Sequence, residues 1–314
     1  MSILIIGGAG FVGRNLLHEL DNQRQSDINV VDIFLNSDEN RFKSDFPKVI
    51  LYRFNAAEGK ALADVITKTR PHTIYHLAAN SDIKLSSENP DHDIQNTFLT
   101  TVNLLQSLPT DLKPAIFFAS SSAVYGPKPG PISESEVSNP ISSYGWMKYA
   151  SESLLLKAKL DGNISKLVIF RFPNVVGKYM THGVIFDLIN KLRETPSRLE
   201  VLGDGTQEKP YVLASRLVHV IAAAMSSPEI NLETFNVSAK DRCKVSKIVE
   251  IIVKTSGLTP EIKYGQSRNG WIGDVPEYEL QTNKIKATGL ANEFESAEQA
   301  IEIAVKQFWQ EVTS

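Results

Sequence analysis

The apolar run Ile3–Ile6 opens directly into the glycine-rich segment Gly7–Gly13 (GGAGFVG), and an amphipathic stretch, Phe11–Asp21, begins inside it. A buried strand that turns at once into a helix needs glycine at three places: where the chain bends, where another group approaches the backbone, and where helix and strand touch. A second apolar run, Ile28–Ile33, carries the acid Asp32 near its end. The alternation then continues: Lys60–Lys68 reads as a helix, Thr73–Leu77 as a strand, Asp91–Ser107 as a helix, Pro114–Ser120 as a strand, Ser143–Lys159 as a helix and Lys166–Phe172 as a strand. Strands alternating with helices imply right-handed crossovers and a parallel sheet covered on both faces. Beyond residue 175 the pattern is less regular. Helices are expected near Val184–Arg193, Ser215–Met225 and Val245–Thr255 and short strands near Leu199–Leu202 and Phe235–Val237, a smaller mixed domain.

Composition narrows the function classes. With 42% hydrophobic and 22% charged residues among 314, the chain reads as a folded globular protein. Its net charge is −3 and it has no long Lys/Arg run, which argues against nucleic-acid partners. The single cysteine, Cys243, forms no intramolecular disulfide and no metal-ligand cluster, so no metal is expected and a cytoplasmic address is favoured. No apolar run approaches the length needed to span a bilayer, so no membrane partner is expected.

The free N–H groups of a helix behind Gly7, Gly10 and Gly13 suit a pyrophosphate, and Asp32 can accept hydrogen bonds from both hydroxyls of an adenosine ribose while repelling a 2′-phosphate. NAD is therefore expected over NADP. Ser120, Ser121 and Ser122 end the fourth strand, at the edge where open parallel sheets bind ligands. Tyr144 and Lys148 lie four apart at the start of a helix and share a face. An ammonium close to a phenol is expected to favour the phenolate and lower its pKa, making Tyr144 a usable base toward a sugar or alcohol hydroxyl. His76 reads as a packing residue at a strand end, with no carboxylate nearby in sequence to orient it.

Together GGAGFVG, Asp32, HLAA (His76–Ala79), SSSAVYG (Ser120–Gly126), YGWMK (Tyr144–Lys148) and FRFPNVVG (Phe170–Gly177) resemble the extended short-chain dehydrogenase/reductase family. Further on, HGVIFDLI (His182–Ile189), VLGDGTQEK (Val201–Lys209), FNVSA (Phe235–Ala239) and GDVP (Gly273–Pro276) resemble its nucleotide-sugar 4-epimerases. The resemblance implies a Rossmann-type doubly wound α/β fold, with an NAD-binding domain over 1–174. A smaller substrate domain would cover 175–314, with segments such as 233–255 returning to the first domain. It implies NAD contacts from Gly7, Gly10, Phe11, Val12, Gly13, Asp32, Asn55, Ala56, Leu77, Ala78, Ala79, Asn96, Ser120 and Pro173, besides Tyr144 and Lys148. Asn55 stands where the family has Asp; an amide carbonyl accepts the same hydrogen bond from an adenine amino group.

The resemblance makes Ser121, with Ser122 as the alternative, the catalytic hydroxyl, Tyr144 the base and Lys148 the holder of the nicotinamide ribose. Asn174, Val184, Lys209, Arg268 and Tyr278 would meet the nucleotide sugar. Lys209 keeps the positive charge of the family's Arg without its bidentate fork; Pro210 and Arg216, each where the family has Asp, depart further, while Tyr211 keeps the family's Tyr. The implied activity is inversion of C4 in UDP-glucose and UDP-galactose through a transient 4-keto sugar, in a homodimer joined by a four-helix bundle. Alternatives are a nucleotide-sugar 4-ketoreductase, a 4,6-dehydratase, or a non-catalytic NAD-binding interaction protein.

Overall fold

A computed structural model describes residues 2–80, 89–270, 275–290 and 294–313. Seven strands form the central sheet, in the spatial order Leu232–Asn236, Lys166–Phe172, Ala115–Ser121, Thr73–His76, Ile3–Ile6, Ile28–Asp32 and Ile50–Arg53. From Ala115–Ser121 to the Ile50–Arg53 edge every pairing runs parallel, with Ile3 opposite Ile28 on one side and Thr73 on the other. The central strands are apolar on both faces because helices cover both, and Leu4, Ile5, Ile6, Val30, Ile74, Ile116 and Phe117 are fully buried. Each such side chain contributes roughly 1.5–3 kcal/mol relative to exposure.

The chain divides into two compact units. The first comprises 1–126, 137–171 and 218–235, and the second 127–136, 172–217 and 236–314. In the second, strand Asn174–Val176 pairs with Tyr211–Leu213, Arg198–Val201 with Glu261–Tyr264, and helix Val245–Ser256 packs against Val184–Glu194 and Ala297–Thr313. Only Glu233–Phe235 of the 233–255 segment falls in the sheet-bearing unit.

The helix read as Asp91–Ser107 is interrupted. A short turn of helix, Pro90–Asp93, passes into a π-helical segment, Ile94–Phe98, before regular α-helix resumes over Leu99–Gln106. A π segment inserts an extra residue per turn and rotates the side chains that follow. Here it leaves Asp93 and Thr97 buried.

Candidate active site

The glycine turn fits a dinucleotide phosphate. Gly7 has φ +85°, and a Cβ there would stand 2.6 Å from the Ala78 nitrogen. At Gly13 a Cβ would stand 2.5 Å from the Gly8 carbonyl oxygen, because the helix Phe11–Asn22 lies directly on the turn. Gly10 differs: its Cβ would meet only the Gly7 oxygen, at 3.4 Å, so it leaves a space that a ligand could fill. Gly10 is also the N-cap of that helix, with no side-chain cap and no acid in the first turn, so the N–H groups at Phe11, Val12 and Gly13 face no competing anion from the helix itself. Across the turn, Asp32 accepts from the Ala9 and Phe34 N–H groups, one on each carboxylate oxygen, at 2.8 Å each. The backbone N–H groups of Ile33 and Gly10 bear on the same carboxylate. Leu77 and Ala78 both donate their N–H to the Ile6 oxygen, which holds the Leu77–Ala79 segment beside Gly7.

Asn55 and Asn96 meet each other: the Asn55 amide donates to Asn96 Oδ1 at 3.3 Å, and its carbonyl accepts the Ala57 N–H at 2.9 Å. That carbonyl has one lone pair left for an adenine amino group. Ala56 beside it is buried.

The serine, tyrosine and lysine come together in the first unit. Ser142 caps the helix Ser143–Leu160 by accepting the Gly145 N–H at 3.1 Å. Gly145 itself permits the approach, since a Cβ there would lie 2.6 Å from the Ala123 carbonyl oxygen in the turn after Ser121. The Tyr144 hydroxyl interacts with the Ser121 side chain, whose Oγ accepts the Ala123 N–H at 3.1 Å. Ser122 opens the following 3₁₀ turn, and Ser120 points into the protein, fully buried. Lys148, 2% exposed, donates to the Ala119 carbonyl at 2.6 Å and stands 4.8 Å from the Phe118 ring centroid and 5.8 Å from that of Tyr144.

The expected lowering of the tyrosine pKa is absent from the protein alone. Burial pushes the Tyr144 phenol up to about 12; the Ser121 hydrogen bond opposes this, and the Asp93 charge adds to it. Burial also draws the Lys148 ammonium down to about 7, against the pull of Glu152. A lysine with little water around it is a weak source of positive charge, so it does not offset the desolvation of its neighbour. His76 is fully buried, its Nε2 2.8 Å from Thr101 Oγ1 and its pKa lowered to about 3 by burial and by Lys148; it is a neutral packing residue.

In the second unit the Asn174 amide donates to the Tyr278 hydroxyl at 3.2 Å and to the Pro210 carbonyl at 3.3 Å. Pro173 is buried before it, and Val184 starts its helix half-buried. Lys209 is 8% exposed, opposite Cys243 in a short antiparallel pair. Arg268 is exposed and ion-paired with Glu277 at 2.6 Å, and Glu277 also accepts from Arg242 at 2.8 Å. Arg216 pairs with Glu295 at 2.8 Å. Gly273 and Asp274 of the GDVP motif, with Trp271 and Ile272 before them, lie outside the described residues. Sequence reasoning missed Asp93, Gly145, Glu152 and Arg171, whose importance lies in contacts made across the fold. No helix among the described residues is long and apolar enough to cross a membrane.

A family model described as the NAD dependent epimerase/dehydratase family matches residues 3–238, and the chain belongs to that family. The Bacillus subtilis (strain 168) protein YtcB, named as an uncharacterized UDP-glucose epimerase, is 29% identical over 307 residues, covering 93% of this chain and 96% of the relative. An Escherichia coli dTDP-4-dehydro-6-deoxyglucose reductase is 26% identical over 298 residues, covering 86% and 92%. The crystal structure of a UDP-galactose 4-epimerase is 28% identical with a TM-score of 0.85, covering 99% of this chain and 100% of that one.

Proposed function

We propose that the protein is a UDP-sugar 4-epimerase acting on UDP-glucose and UDP-galactose, with tightly held NAD. The observation that carries this reading is the Tyr144 hydroxyl set against the Ser121 side chain with Lys148 anchored behind it on Ala119. Tyr144 accepts the proton from the sugar's O4 and returns it, while Ser121 hydrogen-bonds O4 and eases the transfer. Lys148 holds the nicotinamide ribose; Gly7, Gly10, Phe11, Val12 and Gly13 hold the pyrophosphate, and Asp32 the adenosine ribose. Bound in its oxidised form, NAD supplies a hydride acceptor for C4 and a positive charge beside the phenol, so the reaction has no net redox change. The phenol of the protein alone stays protonated at neutral pH, and a positive charge held beside it would favour the phenolate. Lys209, with Arg268 released from Glu277, anchors the nucleotide phosphates while the sugar turns. Incubation with UDP-, GDP-, CDP- and dTDP-sugars, products read by NMR, tests reaction and substrate class together.

A 4,6-dehydratase needs an additional acid and base, and the positions after Ser121 hold Ser122 and Ala123 instead. A 4-ketoreductase shares the Ser/Tyr/Lys set, and one relative carries a reductase name. It must release its cofactor at every turnover, so NAD retained through gel filtration favours the epimerase. A non-catalytic NAD-binding protein has no need of all three side chains.

Tyr278 walls the sugar's C2 side, tied down by Asn174. A packed wall crowds an acetamido group at a cost of about 1–3 kcal/mol. Tyr278→Ser is expected to raise kcat/KM for the N-acetylated sugars relative to the plain ones about tenfold; an unchanged ratio removes Tyr278 from this role.

The molecule is a homodimer in this reading. Trp146, Tyr149, Ser153, Leu156 and Leu160 fall at alternating three- and four-residue steps along one face of the tyrosine helix, the spacing of a helix-bundle seam. Trp146, Leu156 and Leu160 are exposed, Leu160 at 71%. Light scattering is expected to give a dimer for the native protein and a monomer for Leu156→Glu/Leu160→Glu; a native monomer contradicts the assignment.

A further inference from the structure

Tyr144, Lys148 and Glu152 follow one another at four-residue steps on the helix Ser143–Leu160 and so share a face. They engage three consecutive residues of the strand Ala115–Ser121: Tyr144 with the Ser121 hydroxyl, Lys148 with the Ala119 carbonyl, and Glu152 with the Ser120 hydroxyl, which donates to Oε1. The first two contacts belong to the site already described; the third does not. Glu152 is 5% exposed and is matched by Arg171 of the neighbouring strand, whose Nη2 lies 2.6 Å from Oε2 and Nε 3.0 Å from Oε1. Arg171 Nη1 in turn donates to the Tyr125 hydroxyl at 3.0 Å. A buried ion pair is a poor device for stability alone, because apolar side chains of similar volume often fill such a space as well or better. Its placement one helical turn beyond Lys148 suggests a second task.

We propose that Glu152, held by Arg171, is a positioning residue for the Ser121–Tyr144–Lys148 site: it clamps the tyrosine helix to the strand end and its charge keeps Lys148 in the ammonium form. This rests on the reading of that site given above. Among the described residues, the charged and titratable groups around Lys148 leave Glu152 as its counter-ion. On the same helix Tyr144 is a neutral phenol; from the adjoining strand His76 is neutral; Asp93, from the helix turn before the π segment, bears on Tyr144; and Arg171 is engaged by Glu152. Burial drives Lys148 toward neutrality and Glu152 opposes it.

The test follows the Lys148 13Cε resonance of the ligand-free protein through a pH titration, assigned with Lys148→Arg. This readout needs neither cofactor nor substrate, so its failure is distinct from failure of the epimerase reading. Native protein is expected to titrate near neutral pH, and Glu152→Gln about one pH unit lower. The fall of kcat on the alkaline side, as Lys148 loses its proton, is then expected about one unit earlier, with KM unchanged. A folded Glu152→Gln protein with the native midpoint overturns the proposal. If burying Arg171 without its partner prevents Glu152→Gln from folding, Ser120→Ala decides: it keeps the ion pair and removes the clamp. Its Lys148 midpoint is expected to stay native while kcat falls about tenfold at constant KM; unchanged kcat overturns the proposal.

Discussion

Tyr144→Phe is expected to lower kcat for C4 inversion by about 10²–10⁴-fold while the protein still retains NAD. The substitution removes one oxygen and leaves the ring where it packs, so the helix Ser143–Leu160, its Ser142 cap and the Lys148 anchor on Ala119 keep their geometry. What is lost is the phenol set against Ser121, the group that exchanges a proton with the sugar's O4 in the proposed mechanism. Ser121 keeps its hydrogen bond from Ala123 and cannot substitute, its hydroxyl being a far weaker base than a phenolate. Reaction progress with native and variant enzymes, alongside the NAD content of each after gel filtration, separates this outcome from simple loss of cofactor. Comparable rates in the two proteins remove Tyr144 from the chemistry.

The second large effect is expected at Gly13. Gly13→Val places a Cβ 2.5 Å from the Gly8 oxygen and 2.6 Å from the Gly7 oxygen, both backbone atoms that cannot swing away. The first helix must move off the turn, and with it the N–H groups proposed to hold the pyrophosphate. Overpacking of this kind costs about 1–3 kcal/mol in stability. Misaligned amides are expected to weaken NAD binding by about 100-fold, equivalent to about 2.7 kcal/mol. Titration calorimetry with NAD and thermal unfolding of the ligand-free variant measure the two effects separately. Gly10→Ala offers the contrast: its Cβ has room in the protein, so the unfolding temperature is expected to stay close to native while NAD binding weakens.

How far the sequence could be read depended on the reach of the interactions. The sheet's central strands were legible because burial on both faces leaves continuous apolar runs such as Ile3–Ile6 and Val168–Phe170. The edge strand Ile50–Arg53 was not, since its residues are exposed or half-exposed and pattern like a loop. The short helix Glu39–Asp45 was also missed; it buries only Phe42 and depends on an Asp38 cap and surface ion pairs. The C-terminal helix Ala297–Thr313 carried a readable apolar stripe, Ala297, Ala300, Ile301, Ala304, Val305 and Phe308, that was passed over. At the site, glycine spacing, a terminal acid and Tyr and Lys four apart are local patterns. The burial that raises the Tyr144 phenol and draws down Lys148, and the Asp93 charge that adds to the first, come from groups distant in sequence, which is why the charge argument alone gave the wrong direction for the tyrosine.

The central claim is tested most directly by supplying the purified protein with UDP-glucose alone and, separately, with UDP-galactose alone, and following the anomeric proton signals by NMR with no reduced cofactor added. The account predicts that both reactions converge on the same mixture of the two sugars, catalytically and without net consumption of NAD. Persistence of each starting sugar unchanged, with NAD bound to the protein, would contradict it.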